Sequence, residues 1–413
     1  MAKWLKGRER STYFAALAGL FLTAAIVANP EEAFKASING LRVWWDIVFP
    51  ALLPFFIASE ILMGLGVVHF MGALLEPLMR PIFRVPGVGA FALAMGLASG
   101  YPIGAKITSR LRKDNLCTQI EAERLLSFTN TADPLFMIGA VAVGMFQKPE
   151  LALPIAGAHY ISSIILGFLL RFHEFGKNDI TYEKEMKENI LSKAFRELYT
   201  ARTTDGRSFG QLFGDSVKDS VNTLLLIGGF IMTFSVLIRI LDIFGIISIV
   251  SSILLHLLKP FNVNGSIIKA LVNGIFEITI GTEVASQATG PIMEQVMAAS
   301  AIIAWSGISV HAQVASMING TDIRMTPYLI ARVIHSVIAA IVTYFLMGPL
   351  KALVPPSFVP VLSRNTGSFG LNILTRTAYY GWRILILLCL LIIISLTIYI
   401  IKNVKVAYFK FKS

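Results

Sequence analysis

The chain has 413 residues, of which 55% are hydrophobic and only 15% charged, at a mean hydropathy of +0.69. A soluble domain carries about a quarter charged residues, so most of this chain belongs in a bilayer. The net charge of +11 lies between and beside apolar segments, which fits Lys and Arg retained at a cytoplasmic face and argues against a nucleic-acid partner. Cys117 and Cys389 are far apart and support neither a disulfide framework nor a metal centre.

Lys3, Lys6, Arg8 and Arg10 precede an apolar run from Tyr13 to Ala28. A signal peptide begins the same way, but Ile26-Val27-Ala28 puts a bulky residue where cleavage wants a small one, so a retained helix is expected. Trp44 to Val68 is apolar around Pro50 and Pro54, which a membrane helix tolerates where neighbours re-satisfy the freed carbonyls. Trp44 and Trp45 are expected to anchor it at headgroup level. His69 to Pro86, with Glu76, Arg80 and Arg84, reads as interfacial. Gly87 to Lys113 is interrupted by Ser99-Gly100-Tyr101-Pro102-Ile103-Gly104-Ala105-Lys106. Gln119 to Phe146 carries Asn130-Thr131-Ala132-Asp133-Pro134 at its middle, and Leu151 to Leu170 is a plain span containing His159.

Arg171 to Lys218 is hydrophilic. Tyr182, Met186, Ile190, Ala194 and Leu198 recur every four residues and predict an amphipathic helix lying on a surface. The order then repeats: a span over Val221 to Ile240, an interfacial piece over Leu241 to Pro260, and a second interrupted run, Phe276-Glu277-Ile278-Thr279-Ile280-Gly281-Thr282-Glu283. Val296 to Ile318 follows, with Trp305-Ser306-Gly307-Ile308-Ser309-Val310-His311-Ala312-Gln313 inside it, then Tyr328 to Met347. A spacing of 177 superposes Gly104 on Gly281, Phe128 on Trp305 and Asp133-Pro134 on Val310-His311; the segment order carries this repeat, since residue identity is low. A last apolar helix, Tyr379 to Ile401, precedes a basic tail.

These segments predict an all-α polytopic bundle of about eight crossings plus two re-entrant hairpins. The divisions are an N-terminal helix over 1–30, a first repeat over 39–171, a hydrophilic linker over 172–217, a second repeat over 218–348, an extracytoplasmic loop over 349–378 and a terminal helix with its tail over 379–413. If each interrupted run enters and leaves on one side, each half crosses an odd number of times and the second half runs inverted. A cytoplasmic N-terminus places Arg80, Arg84, Arg110, Arg112, Lys113, Arg171, Arg324 and the C-terminal lysines inside. Lys35, Arg42, Lys148, Lys259, Lys351, Arg364 and Arg376 are the exceptions.

Interrupted membrane helices survive only where protein or a polar cavity surrounds the freed backbone, and paired interruptions point to a transporter's binding site. Ser99, Gly100, Tyr101, Pro102 and Gly104 expose main-chain groups beside Lys106, a receptor suited to a carboxylate. A tight crossing of small residues is the other use of those glycines. Glu277, Thr279, Gly281, Thr282 and Glu283 form the opposing tip. Glu283 either takes up a coupling proton or sodium ion or pairs structurally with Lys106 or Lys269. Asn130, Thr131 and Asp133, and the corresponding Ser306, Ser309, His311 and Gln313, read as unwound segments lining a cavity. His311 could pass a proton or sit as a satisfied donor. Tyr101 and Trp305 are open between stacking on an aromatic solute and anchoring. His159 and His335 look isolated, Arg239 and Asp242 look paired, and no metal or enzymatic motif is present.

Pro50-Ala-Leu-Leu-Pro54-Phe-Phe-Ile, Ser99-Gly-Tyr-Pro-Ile-Gly104-Ala-Lys106 and Asn130-Thr-Ala-Asp133-Pro134 resemble the nucleoside-recognition Gate domain. Two such modules between terminal helices resemble the YlbJ-type family of sporulation integral membrane proteins. That resemblance implies a non-enzymatic transporter in the bacterial cell membrane, at the outer forespore membrane. Its implied cargo is dipicolinic acid, moved from mother cell toward forespore. A nucleoside or other small-solute transporter and a non-transporting scaffold of spore formation are the alternatives. The other expected partners are lipid and, left open, further copies of the chain.

Overall fold

The computed structural model describes residues 2–174, 189–261 and 263–351 together with 397, and their regular structure is helical. The first half comprises α1 (Ala2–Ala28), α2 (Pro30–Val43), α3 (Phe49–Gly64), α4 (Val67–Phe83), α5 (Gly89–Ser99), α6 (Ile103–Lys113), α7 (Gln119–Thr129) and α8 (Ala152–Leu170). After α9 (Ile190–Asp205) come α10 (Phe209–Ile243), α11 (Ile246–Leu258), α12 (Gly265–Phe276), α13 (Ile278–Ser286), α14 (Ile292–Trp305), α15 (Gly307–Met317) and α16 (Met325–Met347). The order of broken helices in α5–α8 recurs in α12–α16.

Among the described residues four segments are long and apolar enough to cross a membrane: Pro149–Leu170, Phe209–Ile243, Ile292–Met317 and Met325–Met347. Phe56–Gly64 and His69–Phe83, bent by 86°, make a fifth if counted together. Among the described residues the expected spans over 151–170, 221–240, 296–318 and 328–347 fall on those four segments. Pro134 and the polar residues before it divide Gln119 to Phe146 into α7 and a wider-wound π-helix, Phe136–Met145, because proline withholds the N–H that would carry a helix through. Tyr379 to Ile401 lies outside the described residues.

Proline also shapes the entry to α3. Pro50 occupies the first turn, where a missing N–H costs nothing, and the turn before it is π-wound, Phe49 N–H reaching back to the Trp44 carbonyl. Trp44, read as a headgroup anchor, is turned into the protein. It is buried against α10, where its indole N–H donates to the Leu224 carbonyl at 2.9 Å, and Gly228 leaves room for the ring; Trp45 is exposed. Arg239 and Asp242 do pair, at 3.0 Å, and Arg239 also holds Glu32 at 2.6 Å, tying α10 to α2.

The amphipathic helix forms as α9, its Ile190 and Ala194 buried and its other face exposed. Ala194 packs on Ala73 and Leu74 of α4, Phe195 lies 5.0 Å from Phe70, and Lys193 pairs with Glu76. Tyr182 and Met186 lie outside the described residues. α16 packs between α14 and α8 and also touches α7, which places a spanning helix of the second half directly behind the break in the first.

Candidate functional site

Four chain breaks build the centre of the molecule. α5 stops because Gly100 adopts φ 72°, ψ −162°, a conformation open in practice only to glycine. A Cβ there would also lie 2.7 Å from Asp133 Oδ2. The Tyr101–Pro102 peptide is cis, and α6 restarts at Ile103. Opposite this turn α7 ends at Thr129, and Asp133 caps the following π-helix by accepting the Phe136 N–H at 2.8 Å. The two breaks touch: Cβ atoms on Gly96 and Gly104 would fall 1.7 and 2.5 Å from the Thr129 carbonyl oxygen. The small-residue crossing thus exists, and it serves to press one break against the other.

The second half is built to the same plan with different residues. Glu277 turns extended between α12 and α13 and caps α13, accepting the Ile280 N–H at 2.8 Å. Ser306 and Gly307 break α14 from α15 at φ 72° and 76°, and Gly307 lies against Glu277. Trp305 donates its indole N–H to the Ile275 carbonyl at 3.1 Å, and the His311 ring nitrogen lies 2.8 Å from the Trp305 carbonyl oxygen.

All four breaks contribute to one cavity of about 50 Å³. Six of the expected site residues line it: Tyr101, Asp133, Glu277, Thr279, Ser309 and Gln313. Its remaining wall is apolar, from Val48, Phe136, Ile227 and Ile231 among others. Lys106 is exposed and Glu283 half-buried, and neither lines the cavity, so no lysine stands where a carboxylate receptor was expected. The rest serve the architecture. Asn130 donates to the Tyr328 hydroxyl at 3.0 Å, Thr131 to the Gly96 carbonyl at 3.1 Å, Thr282 to the Ile278 carbonyl at 2.9 Å and Ser306 to the Trp305 carbonyl at 2.5 Å. Ser99 and Pro102 are buried beside the turn, and Gly281 packs on Gly274. Tyr101 faces the cavity while its hydroxyl donates to the Ile303 carbonyl at 3.0 Å. Trp305 is held by α12 and His311.

The residue that sequence reasoning passed over is Arg332 on α16, which is fully buried. Its guanidinium donates to the Ser127 and Asn130 carbonyls at the end of α7 and to the Ala304 carbonyl at the end of α14, the last two at 3.0 and 3.4 Å. Helix C-termini carry unsatisfied carbonyls and the negative end of the helix dipole, so one cation closes a broken helix from each half. A lone arginine within a spanning run is itself the signal for such a role; at two turns from the helix start it also fits snorkelling, which hides it. His159 and His335 are not isolated either. Both are fully buried with ring centroids 4.8 Å apart, and His159 accepts the Ala132 N–H at 3.0 Å.

At one end of the bundle the halves are clasped by charge. Arg112 meets Asp322 at 2.8 and 2.9 Å, and Arg324 meets Glu123 at 2.6 and 2.7 Å and Glu174 at 2.7 Å. The Arg112 guanidinium holds the Asp322 carboxyl below the usual carboxylate range. Its contribution is therefore present above the ordinary aspartate range and lost as pH falls through the lowered value. Asp322→Asn should cost about 0.5 kcal/mol at neutral pH, as half-exposed pairs do. Melting curves in detergent check this, and the difference from the parent chain should close in acid.

The model of the nucleoside-recognition Gate family matches residues 46–172. The sporulation integral membrane protein YlbJ of Bacillus subtilis (strain 168) is 45% identical over 334 residues, covering 80% of this chain and 81% of its own. The uncharacterized protein BpOF4_10220 of Alkalihalophilus pseudofirmus is 25% identical over 171 residues, 40% of this chain and 34% of its own. No solved structure gives a significant match.

Proposed function

The chain belongs to the YlbJ family of sporulation integral membrane proteins, and on that premise we propose that it is a membrane transporter of a small organic anion. Dipicolinic acid is the cargo that the family resemblance favours, moved from mother cell toward forespore across the outer forespore membrane, with both chain ends cytoplasmic. The two modules are proposed to be inverted repeats whose broken hairpins enter the membrane from opposite sides. One observation carries this reading: four helix breaks, two from each half, contribute residues to one small cavity whose polar lining is set in an apolar wall. Broken backbone at membrane depth is tolerated where it surrounds such a cavity, and discontinuous helices at a repeat interface are where secondary transporters bind their solutes.

A cavity of 50 Å³ holds a few waters, against roughly 300–1,000 Å³ for a ligand pocket. The described form is on this reading the closed one, and loading requires the two sets of breaks to part. Radiolabelled dipicolinate should accumulate in vesicles containing the purified protein. Equal accumulation in protein-free vesicles would overturn the transport reading and leave a scaffold.

A further inference from the structure

We infer that the central cavity is a binding site for one monovalent metal cation of the sodium class, held between Asp133 and Glu277. The inference rests on the transport reading for its purpose, since it makes the cation the partner that the anion travels with. It rests on the geometry for its existence.

Asp133 and Glu277 are 4% and 1% exposed and line the same small space. Each commits one carboxylate oxygen to the backbone N–H of the helix it caps. Among the described residues neither has a basic partner. Lys106 is exposed and away from the cavity, and Arg332 is turned to main-chain carbonyls. Two uncompensated buried carboxylates cost several kcal/mol each, so the site needs positive charge from elsewhere. Part is built in, because each carboxylate sits on a helix N-terminus worth about half a positive charge. With both acids ionised about one negative charge is left over, which one monovalent cation neutralises and a divalent ion would overshoot.

A second observation points the same way. The Ser309 hydroxyl and the Gln313 amide, 1% and 4% exposed, line the cavity without a hydrogen-bond partner among the described residues. Buried polar groups are seldom left unpaired. With the two carboxylates they supply an all-oxygen donor set, suited to a hard cation. The volume admits an ion with a few waters. Filled, the site is near neutral and an organic anion can approach it. Emptied, it repels the same anion.

The test needs no solute. Purified protein in detergent is titrated with sodium, lithium or potassium chloride, the ionic strength held with choline chloride, and its unfolding midpoint is followed. A ligand that binds only the folded form raises that midpoint saturably, and at least one alkali cation should do so. Asp133→Asn with Glu277→Gln should abolish the shift; asparagine still caps a helix, which protects the fold. Ser309→Ala, which leaves both acids in place, should raise the half-saturating concentration about tenfold. The inference fails if no alkali cation moves the midpoint beyond choline, or if only pH does, which would mean a proton alone occupies the pair. A cation-dependent shift alongside absent dipicolinate uptake would sink the transport reading and leave this site standing.

Discussion

Arg332→Gln should destabilise the folded chain by about 3–5 kcal/mol, because it removes charge-assisted hydrogen bonds worth about 1.5–3 kcal/mol each. The side chain is fully buried and reaches the ends of two helices. Without it the last carbonyls of α7 and α14 face one another with no donor between them, each at about 1–3 kcal/mol. Arg332→Lys keeps the charge but not the planar fork that spans carbonyls on separate helices, and should fall between. Thermal unfolding in detergent measures all three proteins. A glutamine variant that melts with the parent would show that the two helix ends are satisfied some other way.

Gly96→Ala should be nearly as damaging, and Gly229→Ala should not. An added Cβ at Gly96 would sit 1.7 Å from the Thr129 carbonyl oxygen, backbone that cannot swing aside. Either α5 or the end of α7 must move, and overpacking of this kind costs about 1–3 kcal/mol or more. Gly229, on α10, has nothing within 4 Å of the same position. There alanine should stabilise by up to about 1 kcal/mol through helix propensity. Folded yield from membranes and the unfolding midpoint report both. Equal behaviour of the two variants would show that the contact between the breaks yields easily.

The helical class, the amphipathic α9 and the positions of all four breaks were legible in the sequence, because glycine, proline and buried polar residues have few uses inside an apolar run. Which of those residues face the cavity was not. Asp133 and Glu277 face it, while Glu283, one turn and a half further on, does not line it; the choice depends on which oxygen caps which helix, and spacing does not encode that. Lys106 was misplaced for a related reason. Hydropathy locates the break, but the direction in which a side chain three residues beyond Ile103 leaves the helix depends on what packs there. Trp44 went astray through a partner 180 residues away. His159 and His335 met across 176 residues, a proximity that the packing of α16 on α8 creates.

The shared terminus at Arg332 has a thermodynamic corollary. Because a single side chain finishes a helix in each half, neither half retains a complete set of hydrogen bonds once the other opens. The two halves are thereby bound into one cooperative unit. Melting should accordingly follow a single transition, with no stage at which one module persists while its counterpart is lost.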